Sequence, residues 1–250
     1  MVDLTFTRIA GGERGPGPDR VLVVGPSLGT GVADLWTRCA ALLPPTWLVV
    51  GWDLPGHGAG APATTPLTIE ELAGAVRDRA AGITAGCPVS YAGVSLGGAV
   101  GFAIAVEPGP FDAVVALASA PRIGTPADWR ERAAYVRRAG TAAMVEGSAA
   151  RWFAPGFLDR DPATGSGLLL ALQSVDDESY ALACEALAGH DLRDRVASAS
   201  VPLLVAGGEH DVVVTADQVE VALAGVAHLP PAEDPAATAD LIVTFLEADR

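Results

Sequence analysis

Short runs of apolar residues alternate along the chain with longer amphipathic stretches that are rich in alanine. This alternation is typical of βα units around a mostly parallel sheet, whose buried strands are apolar on both faces. Residues 11–18 are rich in glycine and proline, and they predict a turn or loop that joins an initial strand to the core. The later apolar runs predict strands at Val21–Val24, Trp47–Trp52, Pro88–Ala92, Ala113–Ala118 and Pro202–Ala206, with a late strand near Gly225–His228.

Amphipathic stretches between the strands predict helices. Thr68 lies three residues before Glu71, which is the spacing of a capping box, and it predicts a helix over Thr68–Ala80. Small residues over Gly98–Val106 predict a helix that packs close to the sheet. The last helix is predicted at Pro235–Ala248.

The alternation of strands and helices breaks between residues 121 and 200, where the sequence is mostly helical and contains arginine and tryptophan. We interpret residues 121–200 as a helical cap inserted into a core formed by residues 1–120 and 201–250. The predicted fold class is α/β, with a mostly parallel central sheet flanked by helices. A chain of 250 residues, half of them hydrophobic, can bury such a core as one main domain.

The chain carries 30 acidic and 16 basic residues, a formal charge of −14. This charge repels nucleic acid and anionic membrane surfaces. The first residues lack a basic region followed by an apolar run, and no apolar stretch is long enough to span a membrane. Cys39, Cys87 and Cys184 are widely spaced and lack the pairing of metal ligands, which suits a reducing compartment. We therefore expect a soluble cytoplasmic protein that binds neither nucleic acid nor membranes.

The segment Gly93–Gly98 follows a predicted strand and precedes a predicted helix. It contains the pattern G-x-S-x-G, in which the glycines permit a cramped turn that exposes a serine hydroxyl above the sheet. In this context the pattern predicts an α/β-hydrolase fold with Ser95 as the nucleophile. The alternative is an ordinary glycine-rich turn between a strand and a helix.

A serine nucleophile needs a histidine base and a carboxylate that orients the histidine. In this fold they follow the serine in the order acid, then histidine. Asp211 follows the strand predicted at Pro202–Ala206, and His228 comes later, so we assign them as acid and base. Glu209 is a competing acid. Three further histidines are less well placed in this order: His57, which we interpret as fixing its loop, His190 and His210.

The tetrahedral intermediate of acyl transfer needs two N–H donors for its oxyanion. One is predicted to be the amide of Leu96, directly after the nucleophile, and the other lies in the loop after the strand at Val21–Val24. We assign Leu28 in that loop, because Pro26 has no N–H to donate.

Five segments together resemble the 3-oxoadipate enol-lactonases of the β-ketoadipate pathway, and the resemblance spans nearly the whole chain. Most of the motifs occur throughout the wider hydrolase superfamily, whereas Ser27–Thr30 and Arg151–Phe153 are more specific to the enol-lactonases. Gly25–Pro26 departs from relatives that carry an asparagine before this serine. The five segments are Ser27–Thr30, Asp53–Gly58, Gly93–Gly98, Arg151–Phe153 and His228–Pro235.

This resemblance implies hydrolysis of a five-membered enol-lactone with a carboxymethyl arm to 3-oxoadipate, through an acyl-enzyme and with neither a metal nor a cofactor. The substrate is a small anion, so its carboxylate needs a cationic or hydrogen-bonding partner, for which a bidentate arginine is chemically suited. The candidates all lie in the predicted cap: Arg122, Trp129, Arg132, Arg151 and Trp152.

Other functions on the same scaffold stay open at this point. They are a carboxylesterase, a carbon–carbon bond hydrolase, a haloperoxidase-like enzyme, or a small-molecule receptor that kept the triad without turnover. Some relatives of the enol-lactonases are fused to a carboxymuconolactone decarboxylase domain. The resemblance therefore also leaves open a fusion to such a domain or an association with it.

Overall fold

The computed structural model of the chain describes residues 2–11, 17–83 and 86–248. Part of the predicted loop at residues 11–18 lies outside these ranges. The strands of the described residues are β1 (Thr5–Ala10), β2 (Arg20–Gly25), β3 (Trp47–Asp53), β4 (Val89–Val94), β5 (Ala113–Leu117), β6 (Leu203–Gly208) and β7 (Val221–Leu223). They form one sheet in the order β1-β3-β2-β4-β5-β6-β7. β1 is antiparallel to β3 and every other neighbouring pair is parallel, which confirms the predicted fold class.

The α-helices of the described residues are α1 (Val32–Ala40), α2 (Ile69–Ala81), α3 (Leu96–Val106), α4 (Pro126–Ala139), α5 (Val145–Trp152), α6 (Phe157–Arg160), α7 (Pro162–Gln173), α8 (Asp177–Gly189), α9 (Pro230–Glu233) and α10 (Pro235–Glu247). Short 3-10 helices span Thr141–Met144, Val196–Ser198 and Ala216–Gln218. Helix α1 packs against α9 and α10, whereas α3 packs against α2, β4 and β5. None of these helices is long and apolar enough to cross a membrane.

The predicted helices are confirmed with small shifts of their ends. Thr68 caps α2 by a capping box, in which the Thr68 hydroxyl accepts from the Glu71 amide at 3.1 Å. The Glu71 carboxylate accepts in return from the Thr68 amide at 3.0 Å. Helix α3 begins at Leu96 rather than Gly98, so it starts directly after Ser95.

Five of the predicted core strands are confirmed, and their residues are mostly buried because neighbouring strands and helices cover them. The late strand near Gly225–His228 is wrong. The last strand is β7, and Gly225 then adopts a left-handed φ of 69°, which turns the chain out of the sheet. The amide of His228 donates to the carbonyl oxygen of Trp152 at 3.2 Å and not to a residue of a neighbouring strand.

The chain between β5 and β6 contains α4 to α8 and two of the 3-10 helices, without a strand. Within this segment α4 packs along α8. The segment also contacts the sheet's loops, because Trp152 and Leu172 lie against Gly29. The division into a core and a cap with boundaries at residues 120 and 200 stays a prediction.

Candidate active site

Ser95 lies in the turn between β4 and α3, with φ 53° and ψ −110°. This conformation is rare for a residue with a side chain and stores strain that its surroundings must hold. The neighbouring strand holds it, since the Ser95 amide donates to the Leu117 carbonyl at 2.8 Å. The Ser119 hydroxyl donates to the Ser95 carbonyl at 2.8 Å. The turn therefore places the serine at the carboxyl end of the sheet, where it is 5% exposed.

The glycines on either side of Ser95 are required by close backbone approaches. A Cβ added at Gly93 would lie 2.2 Å from the carbonyl oxygen of Gly97. A Cβ added at Gly97 would lie 2.6 Å from the carbonyl oxygen of Pro26. Because real Cβ atoms do not approach so closely, both positions of the G-x-S-x-G pattern need glycine.

Asp211 and His228 form a buried pair. Asp211 follows β6, and its Oδ2 lies 2.8 Å from Nδ1 of His228. A carboxylate oxygen can only accept, so Nδ1 carries the hydrogen and Nε2 is left as an acceptor. Oδ1 of Asp211 accepts from the amides of Val213 at 2.7 Å and Val214 at 3.2 Å, which fixes the carboxylate. No hydrogen bond joins the Ser95 hydroxyl to this pair within the described residues.

The competing acid and bases have other partners. Glu209 accepts from the Gly225 amide at 3.0 Å and is not bonded to His228. His57 donates from Nδ1 to the carbonyl oxygen of Pro55 at 2.9 Å, which agrees with a role in fixing its loop. His190 is buried, whereas His210 is exposed. Only His228, among these histidines, is hydrogen-bonded to a carboxylate within the described residues.

The predicted oxyanion donors, Leu28 and Leu96, lie in two loops that are joined to each other. The Gly97 amide donates to the Pro26 carbonyl at 3.0 Å and ties the turn after β2 to the start of α3. Neither the Leu28 nor the Leu96 amide donates to a protein acceptor in the described parts of the chain. Both residues are buried, so two unused N–H groups are available for a ligand.

Three of the five predicted substrate-binding residues lie on or next to α4. Arg122 forms an ion pair with Asp191 at 3.3 Å. Trp129 is buried and donates from Nε1 to the Ile123 carbonyl at 2.6 Å. The Arg132 guanidinium lies over the Trp129 ring, 4.8 Å from its centroid.

Arg151 and Trp152 end helix α5. Arg151 is half-buried and donates to the Ser148 hydroxyl at 3.4 Å. Burial and, second to it, the positive charge of Arg132 lower the pKa of Arg151. Neither Arg132 nor Arg151 forms an ion pair with a carboxylate of the described residues. Trp152 is buried against Gly29 in the loop that carries Leu28.

Glu233 is a buried carboxylate of the site that sequence reasoning missed. Its oxygens accept from the amides of Ala227 and Leu229, which flank His228, and from the amide of Ala154. It lies within His228–Pro235, one of the segments that carry the resemblance, but no role was predicted for it from the sequence. No group of three or more His, Cys, Asp or Glu side chains in the described residues is arranged to hold a metal ion.

The chain is similar to known proteins along most of its length. Residues 10–241 match the model of the Alpha/beta hydrolase family. The chain belongs to this family. This hydrolase is 33% identical over 198 residues to 3-oxoadipate enol-lactonase 2 of Acinetobacter baylyi. The matched region covers 78% of this chain and 72% of that protein.

Solved structures of hydrolases superpose on nearly the whole chain. The enol-lactonase from Burkholderia xenovorans LB400 has a TM-score of 0.84 and 31% identity, covering 97% of this chain and 96% of that one. A hydrolase from Pseudomonas aeruginosa PA01 has a TM-score of 0.87 and 25% identity, covering 98% and 94%. These similarities confirm the resemblance to the enol-lactonases and the assignment of the chain as a hydrolase of ester or lactone bonds.

Proposed function

We propose that this hydrolase opens 3-oxoadipate enol-lactone, or a closely similar carboxylate-bearing enol-lactone, to the open-chain acid through an acyl-enzyme on Ser95. The observation that carries the proposal is the 2.8 Å hydrogen bond between His228 and Asp211, together with a serine in a strained turn at the carboxyl end of the sheet. The names of the Acinetobacter and Burkholderia relatives support the choice of substrate class.

In the acylation step, Ser95 Oγ attacks the lactone carbonyl carbon while Nε2 of His228 accepts the hydroxyl proton. The serine hydroxyl reaches Nε2 when substrate binds, as catalytic hydrogen bonds often tighten only in the complex. The amides of Leu28 and Leu96 donate to the oxyanion of the tetrahedral intermediate. Asp211 holds the imidazolium that forms.

The ring opens when the bond between the carbonyl carbon and the enol oxygen breaks and His228 returns its proton to that oxygen. The enol then converts to the ketone. In deacylation His228 takes a proton from water, which attacks the acyl carbon and releases the second carboxylate together with free Ser95. The sequence of steps consumes one water and regenerates the enzyme.

We assign the substrate's own carboxylate to Arg151, with Arg132 beside it. Both guanidiniums are free of carboxylate partners in the described residues, and each repels the other. A bound anion would relieve this repulsion and accept charge-assisted hydrogen bonds. Arg122 is a weaker candidate because it already forms an ion pair with Asp191, a carboxylate that it shares with Arg193. Trp129 and Trp152 would form apolar walls, the first under Arg132 and the second against Gly29.

Loss of the absorbance of the enol-lactone ring on incubation with the enzyme tests the proposal. We expect kcat/KM for this lactone to exceed that for p-nitrophenyl acetate by about 100-fold or more, since only the lactone gains from the arginines. Hydrolysis of the simple ester with no turnover of the lactone would contradict the substrate class and leave a general esterase. No turnover of either would contradict the triad.

A further inference from the structure

Glu233 lies at the end of α9 and is 8% exposed. Its Oε1 accepts from the amide of Ala227 at 2.9 Å and from that of Leu229 at 3.3 Å. Its Oε2 accepts from the amide of Ala154 at 2.7 Å. One carboxylate therefore holds both residues that flank His228 and also the chain just after α5.

The contacts of Glu233 select its ionised form. All three partners are N–H donors, so a protonated carboxyl group would turn its own O–H toward one of them. Burial raises the pKa of Glu233, whereas the three amides and the attraction of His228 lower it. Burial is the larger effect and the pKa is raised overall, so the hydrogen bonds offset part of the cost of burying the charge.

The loop of His228 is fixed at three consecutive residues. Ala227 and Leu229 donate to Glu233, and the amide of His228 itself donates to the Trp152 carbonyl at 3.2 Å. Since Ala154 also donates to Glu233, the segment 152–154 and the histidine loop are joined at two points. The side chain of His228 is in turn hydrogen-bonded to Asp211 at 2.8 Å.

We propose that Glu233 is a positioning residue for the base, a role that rests on the proposed function of His228. It does not reach the reacting atoms. It holds the backbone on both sides of His228 so that Nε2 stays in line with Ser95, and it ties that backbone to the segment that carries Trp152. A shift of the base of about 1 Å can cost roughly 100-fold in rate, so this support bears on turnover.

The substitution Glu233→Gln tests the proposal because glutamine has the same shape but replaces one acceptor oxygen by an NH₂ donor. That NH₂ would face an amide donor, either at Ala154 or beside His228. We expect kcat for p-nitrophenyl acetate, and for the enol-lactone, to fall about 10- to 100-fold with KM changed by less than about 3-fold. Rates are expressed per active serine, titrated to its end point with a fluorophosphonate.

Asp234→Ala is the matched control. Asp234 is the next residue, and its carboxylate accepts from the Ala237 amide at 2.9 Å at the start of α10, away from the histidine loop. We expect this variant to lower the melting temperature and to keep the wild-type kcat per titrated serine. Glu233→Asp, which keeps the charge but shortens the reach, should recover part of the kcat that Glu233→Gln loses.

Wild-type kcat per titrated serine in Glu233→Gln, with a lower melting temperature as in Asp234→Ala, would show that Glu233 only stabilises the fold and would overturn the proposal. If Glu233→Gln does not fold, wild-type kcat in Glu233→Asp would overturn it instead. Failure of the proposed function is a different result. It would appear as undiminished hydrolysis by Ser95→Ala, or as the absence of lactone turnover. In the second case, kcat for p-nitrophenyl acetate would still measure the effect of the Glu233 variants.

Discussion

Each of the four histidines has a different set of neighbours. His228 pairs with Asp211 through Nδ1, which leaves Nε2 free to accept a proton. His57 also uses Nδ1 as a donor, but its Nε2 is buried without a hydrogen-bond partner in the described residues, and its ring stacks on Tyr180 at 6.1 Å between centroids. The two rings therefore have the same tautomer, but of the two only His228 is hydrogen-bonded to a carboxylate in the described residues.

The burial of His57 predicts a pH dependence of stability. Burial lowers the pKa of His57 to about 4, whereas an unfolded histidine has a pKa of about 6.5. As the pH falls through this window, the unfolded chain takes up the proton first, so the folded state loses stability. From pH 7.5 to pH 5.0 this single group should cost about 2 kcal/mol of the free energy of unfolding.

Urea unfolding at the two pH values measures this loss. His57→Gln should reduce the difference between them by about 2 kcal/mol, since glutamine does not titrate. His210→Gln is the matched control, because the His210 side chain is 45% exposed, and it should keep the wild-type difference. An unchanged difference in His57→Gln would mean that carboxylates alone set the acid sensitivity.

At the scale of elements, helices α4 and α5 bring together the two unpaired arginines. The Arg132 guanidinium lies over the Trp129 ring on α4, and Arg151 donates to the Ser148 hydroxyl on α5. Helix α5 ends in Trp152, which packs against Gly29 in the loop of Leu28, so Arg151 is the sequence neighbour of a residue that contacts the proposed oxyanion loop. This arrangement suits a substrate with a carbonyl at one end and a carboxylate at the other.

Arg151→Ala should therefore change specificity. We expect kcat/KM for the carboxylate-bearing lactone to fall by about 2 kcal/mol, roughly 30-fold, because Arg151 is only half-buried and solvent screens part of its charge. The rate for p-nitrophenyl acetate should stay within about 2-fold of wild type. Arg122→Ala, which removes an arginine already paired with Asp191, should leave both rates near wild type. Equal losses on both substrates in Arg151→Ala would show that Arg151 supports the packing of α5 instead.

The strands were predictable where the sheet buries them. Apart from Arg20 and Ser90, the residues of β2 and β4 are apolar or glycine because helices or neighbouring strands cover them, and this produces the short hydrophobic runs that the sequence displays. β7 is an edge strand of half-exposed residues and lacks such a run. The apolar stretch after β7, Gly225–His228, is a loop that carries a short hydrophobic run because much of it is buried. This run led to the wrong prediction of a strand there.

The turn of Ser95 and the pairing of His228 with Asp211 were predictable because G-x-S-x-G and the order of acid and base can be read directly from the sequence. The role of Glu233 was not predictable, because its contacts with Ala227 and Leu229 follow from how the loop folds back on α9, and its third partner, Ala154, lies 79 residues away along the chain. The ion-pair partners of the arginines could not be predicted from the sequence either. Arg122 pairs with Asp191, whereas Arg132 and Arg151 pair with no carboxylate among the residues that the structure describes. Both results follow from how the helices pack and not from the spacing of charges.

At the scale of the whole molecule, a net charge of −14 opposes an anionic substrate at long range. Salt at physiological concentration screens such repulsion beyond about 8 Å, whereas two guanidiniums near a half-buried site act at contact distance. Local charge therefore decides the affinity for the substrate. The acidic surface and the basic site are compatible for this reason.

The central claim is that Ser95 carries the acyl group of the lactone, and Ser95→Ala tests it most directly. Turnover of the enol-lactone by wild type and by Ser95→Ala is compared at equal concentrations of folded protein, checked by circular dichroism and melting temperature. We expect kcat to fall by about 10⁴-fold or more with the fold intact. Hydrolysis by folded Ser95→Ala at more than about one-twentieth of the wild-type rate would contradict the account.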